Sequence, residues 1–130
     1  MGTPRASAVV IDAGPLIKLE RGDEFVRALV RRAARHESPL IIPSGVLGQV
    51  WRDGSRQARL AALLGNKVSK VEALDESTAK AAGALCGRAG TSDVIDASVV
   101  LAARLHKAVV VTSDPDDLRR LDPDIELAVI

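Results

Sequence analysis

Residues 91–114, TSDVIDASVVLAARLHKAVVVTSD, decide the fold. From Asp93 to His106 the apolar residues recur at helical spacing and leave almost no polar face, so the stretch predicts a strongly apolar helix and the most buried one in the chain. Ala108–Val111 follows as a short β-branched run, the pattern of a strand covered on both faces. A buried helix feeding a buried strand is the unit of a mainly parallel sheet. The expected class is therefore α/β, a three-layer α/β/α arrangement.

The same alternation extends outward in both directions. Towards the N-terminus, Ala8–Ile11 reads as the first strand and Asp23–His36 as an amphipathic helix with Phe25, Val26, Leu29, Val30 and Ala33 on one side. Leu40–Ile42 is a second strand, ended by Pro43. Ser44 stands at the expected N-cap of a helix carrying Val46, Leu47, Val50 and Trp51. Gly54 breaks that helix, and Arg56–Leu64 resumes until Gly65 and Asn66 close it. Val68–Leu74 is a weaker strand and Glu76–Cys86 an Ala-rich helix. Beyond Val111, Pro115–Leu121 is a short helix and Ile125–Ile130 a last strand. Met1–Ser7 is expected to be a flexible lead, and residues 8–130 one domain: 130 residues can bury about two-thirds of their unfolded surface in one core.

Composition removes several classes of function. Aromatics make up 2% of the chain, which leaves no stacking platform for bases. One cysteine and two histidines exclude an internal disulfide and leave little for a zinc centre. No run approaches the roughly 20 apolar residues of a spanning helix, and no apolar stretch follows the lead as in a secretion signal, so a cytoplasmic protein is expected. The net charge of +1 conceals an uneven map: Arg52–Lys70 carries +4 and Asp93–Glu126 carries −4.

Open parallel sheets bind ligands beyond the carboxyl ends of their strands, and in this chain those ends are acidic. Asp12 follows the first strand; a capping role is the alternative, because Gly14 and Pro15 are able to start a helix behind it. Asp96 interrupts the most apolar helix, where an unpaired charge costs several kcal/mol, on the order of 3–5, and so needs a compensating partner. Asp93 lies one turn earlier on the same face and also suits an N-cap. Asp114 stands before Pro115 at an N-cap, with Asp117 in the first turn. Two carboxylates about 4 Å apart repel by roughly 4 kcal/mol at an effective dielectric of 20, so several converging acids require a cation or a bound proton. An all-oxygen donor set selects Mg²⁺ or Mn²⁺, and such ions activate water for phosphodiester hydrolysis. No Ser-His-Asp set, phosphate-cradling loop or dinucleotide fingerprint competes with that reading.

Four stretches, VVIDAGPLIKLE with Asp12, IIPSGVLGQVWRDG, TSDVIDASVVLAARLHKA with Asp96 and VVVTSDPDDL with Asp114, together resemble a PIN domain, the nuclease fold of the VapC toxins of bacterial toxin–antitoxin pairs. The resemblance runs from Val9 to Ile130. It implies a metal-dependent endoribonuclease, usually a homodimer, whose antitoxin reaches into the acidic site with a basic side chain. Asp12, Asp93, Asp96 and Asp114 would be catalytic, holding Mg²⁺ or Mn²⁺ with Asp117. Gln49 stands where the family commonly carries Glu, so it offers a hydrogen-bond acceptor but no charge. Thr112 and Ser113 are expected to orient water around the ion.

Arg52, Arg56 and Arg59 share a helical face, provided Gly54 does not break it, and would track an RNA backbone. Val46, Leu47 and Trp51 are expected at a two-fold interface. Cys86 is assigned to the core, and His36 and His106 to exposed helix ends. Two other readings remain. A site weakened by Gln49 would be a binding module for RNA or an antitoxin without efficient cleavage. A phospho-acceptor receiver domain would need paired acids after the first strand and a Lys after a late one, and the chain has neither.

Overall fold

The computed structural model describes residues 7–130, so the lead expected over Met1–Ser7 lies, except for Ser7, outside them. The elements run β1 (Val9–Ile11), α1 (Ala13–Glu20), α2 (Glu24–Arg35), β2 (Leu40–Pro43), α3 (Ser44–Val50), a 3₁₀ turn (Gly54–Arg56), α4 (Ala58–Leu64), β3 (Ser69–Glu72), α5 (Glu76–Ala89), α6 (Val94–His106), β4 (Val109–Thr112), α7 (Pro115–Leu121) and β5 (Leu127–Val129). All strand pairs are parallel, in the order β3-β2-β1-β4-β5. Helices cover both faces, as expected for three layers: α5, α6 and α7 pack together, while α1 gathers α2, α3 and α4.

The core is aliphatic and continuous. Val10, Ile11, Leu40, Ile41, Ile42 and Val110 fill the sheet, and Ala97, Val99 and Val100 bring α6 onto it. Small residues on α6 let the helix lie close to β1 and β2. Cys86 is buried in the core, as expected.

The strand order fixes where the site must be. The chain winds outward from β1 through β2 to β3, then returns to the other side of β1 with β4. Connections therefore leave the carboxyl ends of β1 and β4 in opposite directions and open a crevice between them. The Asp12 amide donates to the Val111 carbonyl at 3.0 Å and closes the two strands just below that crevice.

Several local expectations are corrected. The crossover after β1 holds two helices, and α1 takes Pro15 in its first turn, where the missing amide hydrogen has no helical partner to lose. Ser44 is the first residue of α3 and not its cap. Pro43 occupies the cap position, and the Ser44 hydroxyl accepts from the Leu74 amide across the sheet at 3.0 Å. The helix read from Arg56 begins only at Ala58. Val46 is fully buried and cannot serve an interface, whereas Trp51 is partly exposed. His106 is not a free helix end: its Nε2 lies 2.7 Å from Glu72 Oε1, and both side chains are mostly buried. His36 remains exposed at the end of α2.

Candidate metal centre at the strand switch point

Asp12 is the innermost member, with 6% of its surface exposed. Its Oδ1 accepts from the Ala13 amide at 2.9 Å, so it caps α1, and its Oδ2 accepts from the Thr112 hydroxyl at 2.8 Å. That hydroxyl in turn accepts from the Asp114 amide at 2.9 Å. One buried Thr therefore joins β1 to the turn after β4 and fixes the direction of the Asp12 carboxylate. Burial pushes the Asp12 carboxyl above its ordinary value; the Thr112 and Ala13 bonds oppose the shift, and the Asp114 and Asp93 charges add to it.

Asp93 caps α6, accepting from the amides of Ile95 and Asp96 at 3.1 and 3.0 Å. Asp96 projects from the first turn beyond that cap. Among the described residues no Lys or Arg pairs with it. Desolvation, followed by the charges of Asp93, Asp12 and Asp117, pushes its carboxyl up to about 7. Asp114 occupies the cap position of α7 but makes no capping bond, which leaves its carboxylate free.

Asp12, Asp93, Asp96, Asp114 and Asp117 line one cavity of about 320 Å³, together with Gln49 of α3, while Ile17 and Val50 supply an apolar rim. Sequence spacing had brought the five acids together; the two apolar residues carried no comparable mark. As the side chains stand, no three His, Cys, Asp or Glu among the described residues converge on one ligating point. The donor chemistry nevertheless suits a hard divalent ion: all oxygen, mostly anionic, and already costly to keep ionised. The exposed Asp114 and Asp117 retain the rotational freedom to close a shell around a buried Asp12.

Not every expected residue joins the cavity. The Ser113 hydroxyl is buried against Gly14 and has no hydrogen-bond partner among the described residues, so its water-orienting role has no support in its position. Thr112 acts on Asp12 directly. Asp53, an acid close in sequence to Gln49, caps the 3₁₀ turn and lies outside the cavity. The basic strip is broken at Gly54, and each arginine is engaged locally. Arg52 donates to the Gly48 and Trp51 carbonyls, Arg56 pairs with Asp53 at 3.8 Å, and Arg59 donates to the Glu20 carbonyl at 3.2 Å.

The family model of the PIN domain matches residues 9–123. The chain belongs to the PIN domain family. This is a family of nucleases that usually employ divalent metal ions. Among solved structures, the chain is similar to VapBC2 from Rickettsia felis, bound to a DNA fragment from their promoter (TM-score 0.71, 14% identity, covering 95% of this chain and 98% of that one). It is also similar to FitAB bound to the IR36 DNA fragment (TM-score 0.62, 13% identity, 93% and 94%) and to PAE2754 from Pyrobaculum aerophilum (0.59, 18%, 93% and 91%). At these identities the likeness is one of fold, and the PIN fold of this chain agrees with it along nearly its whole length. No curated protein sequence matches the chain significantly.

Proposed function

We propose that this PIN domain is a Mg²⁺- or Mn²⁺-dependent endoribonuclease and the toxin of a toxin–antitoxin pair. The observation that carries the reading is the single cavity in which Asp96, with its raised proton affinity, faces Asp12 and the carboxylates of Asp93, Asp114 and Asp117. Asp12, Asp96 and Asp114 would hold the ion, assisted by Asp93 and Asp117. When bound, the ion supplies a water of lowered pKa and neutralises charge on the scissile phosphate.

The chain's own groups do the rest. Thr112 aims the Asp12 carboxylate, and the α6 cap holds Asp96 at a fixed height above the sheet. Asp96, whose carboxyl is pushed up to about 7, would hold the ion in its deprotonated form. Gln49 orients water through its amide oxygen without adding charge. The carboxylates lining the cavity would repel a bare phosphodiester, and a cation held by them would offset that repulsion. The same carboxylates would accept the basic side chain of an antitoxin. The VapBC2 and FitAB assemblies, which bind DNA, support that partnership. A cytoplasmic location follows from this role, and no helix among the described residues is long and apolar enough to cross a membrane.

Gln49 on the cavity wall favours one second reading, in which the site is short of charge and the domain binds RNA or its antitoxin without efficient turnover. The deciding experiment compares cleavage of a pool of structured RNAs by the wild type and Asp96→Asn, with Mg²⁺, with Mn²⁺ and with chelator. Metal-dependent cleavage that vanishes in the variant is expected. A folded wild type that cuts under neither metal overturns the nuclease reading, and Gln49→Glu would then show whether the missing charge is the reason.

A further inference from the structure

Gln49 is carried to the acidic cavity on a helix fixed at both ends. One turn before it on the same face of α3, Gly45 lies against α6: a Cβ there would stand 3.1 Å from Ile95 Cγ1. The close approach puts Gln49 beside the start of α6, where Asp93 and Asp96 share the cavity with it. At the far end of α3, the buried Gln57 side chain donates to the Val50 carbonyl at 2.9 Å and accepts from the Arg52 and Asp53 amides at 2.7 and 3.0 Å. The Gln49 side chain, by contrast, is exposed on the cavity wall and bonds nothing among the described residues. It is also the one side-chain N–H donor among the described residues lining the cavity, where every other polar side chain is a carboxylate. The amides of Ala13, Ile95, Asp96 and Asp114 are already spent on Asp12, Asp93 and Thr112.

We propose that Gln49 binds the substrate itself: its Nε2 donates to a non-bridging oxygen of the RNA phosphate that enters the cavity, while its Oε1 keeps the contact with water. The identity of the ligand rests on the nuclease reading above; the role of the amide is new to it. A phosphodiester brings anionic oxygens that only accept hydrogen bonds, and the carboxylates around it only accept as well. A neutral donor satisfies such an oxygen without competing with the carboxylates for a cation. The bond it makes is charge-assisted and so stronger than one between neutral partners. Because α3 is anchored at Gly45 and Gln57, the donor is held near its place before substrate arrives, with only the side chain left to order. A glutamate at position 49 would do the reverse, adding charge for the ion and removing the donor. Gln49 thus exchanges some attraction for the cation against attraction for the phosphate.

The test measures RNA and metal binding separately on the full chain, in Gln49→Met, which keeps length and neutrality but loses the donor, and in Gln49→Glu. Because Gln49 is exposed, both variants keep the fold by circular dichroism. Fluorescence anisotropy of a labelled pool of structured RNAs, read at saturating Ca²⁺ to suppress cleavage, gives the first affinity, and calorimetry with Mn²⁺ the second. At saturating metal, Gln49→Met is expected to weaken RNA binding by about tenfold or more. Gln49→Glu binds Mn²⁺ more tightly than the wild type and RNA more weakly, the two affinities moving in opposite directions. A Gln49→Met variant that binds RNA like the wild type, a Gln49→Glu variant that binds it as tightly or better, or a wild type without affinity for the pool overturns the proposal. Cleavage in Mn²⁺ by the same preparations tests the nuclease reading by itself: a wild type that binds RNA through Gln49 without cutting it leaves this contact standing and removes that function.

Discussion

At Asp96 two demands conflict: α6 needs an apolar surface against the sheet, and the cavity needs a charge. The resolution is a carboxyl that stays protonated up to about 7 when nothing cationic faces it. Its folded value exceeds its ordinary 3.8, so the folded chain binds the proton more tightly than the unfolded chain. The resulting stabilisation is fully present below pH 3.8 and is lost as pH rises through about 7. Asp96→Asn therefore raises metal-free stability at pH 8 by about 1–2 kcal/mol, discounted for the solvent that reaches the carboxyl, and leaves it nearly unchanged at pH 4. Urea melts at the two pH values check this; equal effects at both would refute it. Thr112 belongs to the same scale. Thr112→Val keeps the shape, strands the Asp12 Oδ2 and the Asp114 amide, and should cost about 1–3 kcal/mol while weakening Mn²⁺ binding measured by calorimetry. The acids were legible in the sequence because Asp12 ends an apolar run, Asp96 interrupts one, and Asp93, Asp114 and Asp117 stand at helix starts. Gln57 was not: it is 4% exposed, takes the Arg52 and Asp53 amides on Oε1 and donates to the Val50 carbonyl, yet in SRQARL it looks like an exposed helical residue.

Among the elements, the position of α1 depends on one close approach. A Cβ on Gly14 would stand 2.7 Å from Ser113 Oγ and 2.8 Å from Ser113 Cβ, so the start of α1 and the turn after β4 touch without a side chain between them. That contact keeps Asp12 and Asp114 on facing walls of one crevice. Gly14→Ala should cost about 1–3 kcal/mol through overpacking and lower Mn²⁺ affinity, because the turn must move outward. Ser113→Gly in the same chain removes both clashing atoms and recovers most of the loss; thermal melts of the single and double variants measure it, and no recovery would show that the strain lies elsewhere. Strands and long helices were legible because hydrophobic period survives tertiary packing. The short elements were not. Neither α1 nor the 3₁₀ turn at Gly54–Arg56 has a period of its own: the first is capped by Asp12 and packed against Ser113, and the second is held by Asp53 and Gln57. The same turn divides Arg52 from Arg59, so a face that sequence spacing makes continuous becomes three separate local contacts.

For the molecule as a whole, the topology of the five-stranded sheet concentrates like charges at the switch point. The five acids in the cavity come from three segments: the carboxyl end of β1, the start of α6 and the start of α7. A divalent ion held there, as proposed, would tie together segments more than 80 residues apart in sequence, from Asp12 to Asp96, and so would stabilise the whole fold rather than one loop. At a hundredfold excess over its dissociation constant the gain is about 2.7 kcal/mol, or roughly 10 °C in Tm for a chain of this size. Protons compete with the cation for Asp96, so the Mn²⁺-induced shift should be full at pH 8 and shrink below pH 7, opposite in sense to the metal-free trend. Calorimetric scans with and without Mn²⁺ across that range read both slopes in one preparation. A shift of the same size at pH 5 and pH 8, or one that survives in Asp96→Asn, would place the ion somewhere other than the acidic crevice and separate the family's chemistry from these carboxylates.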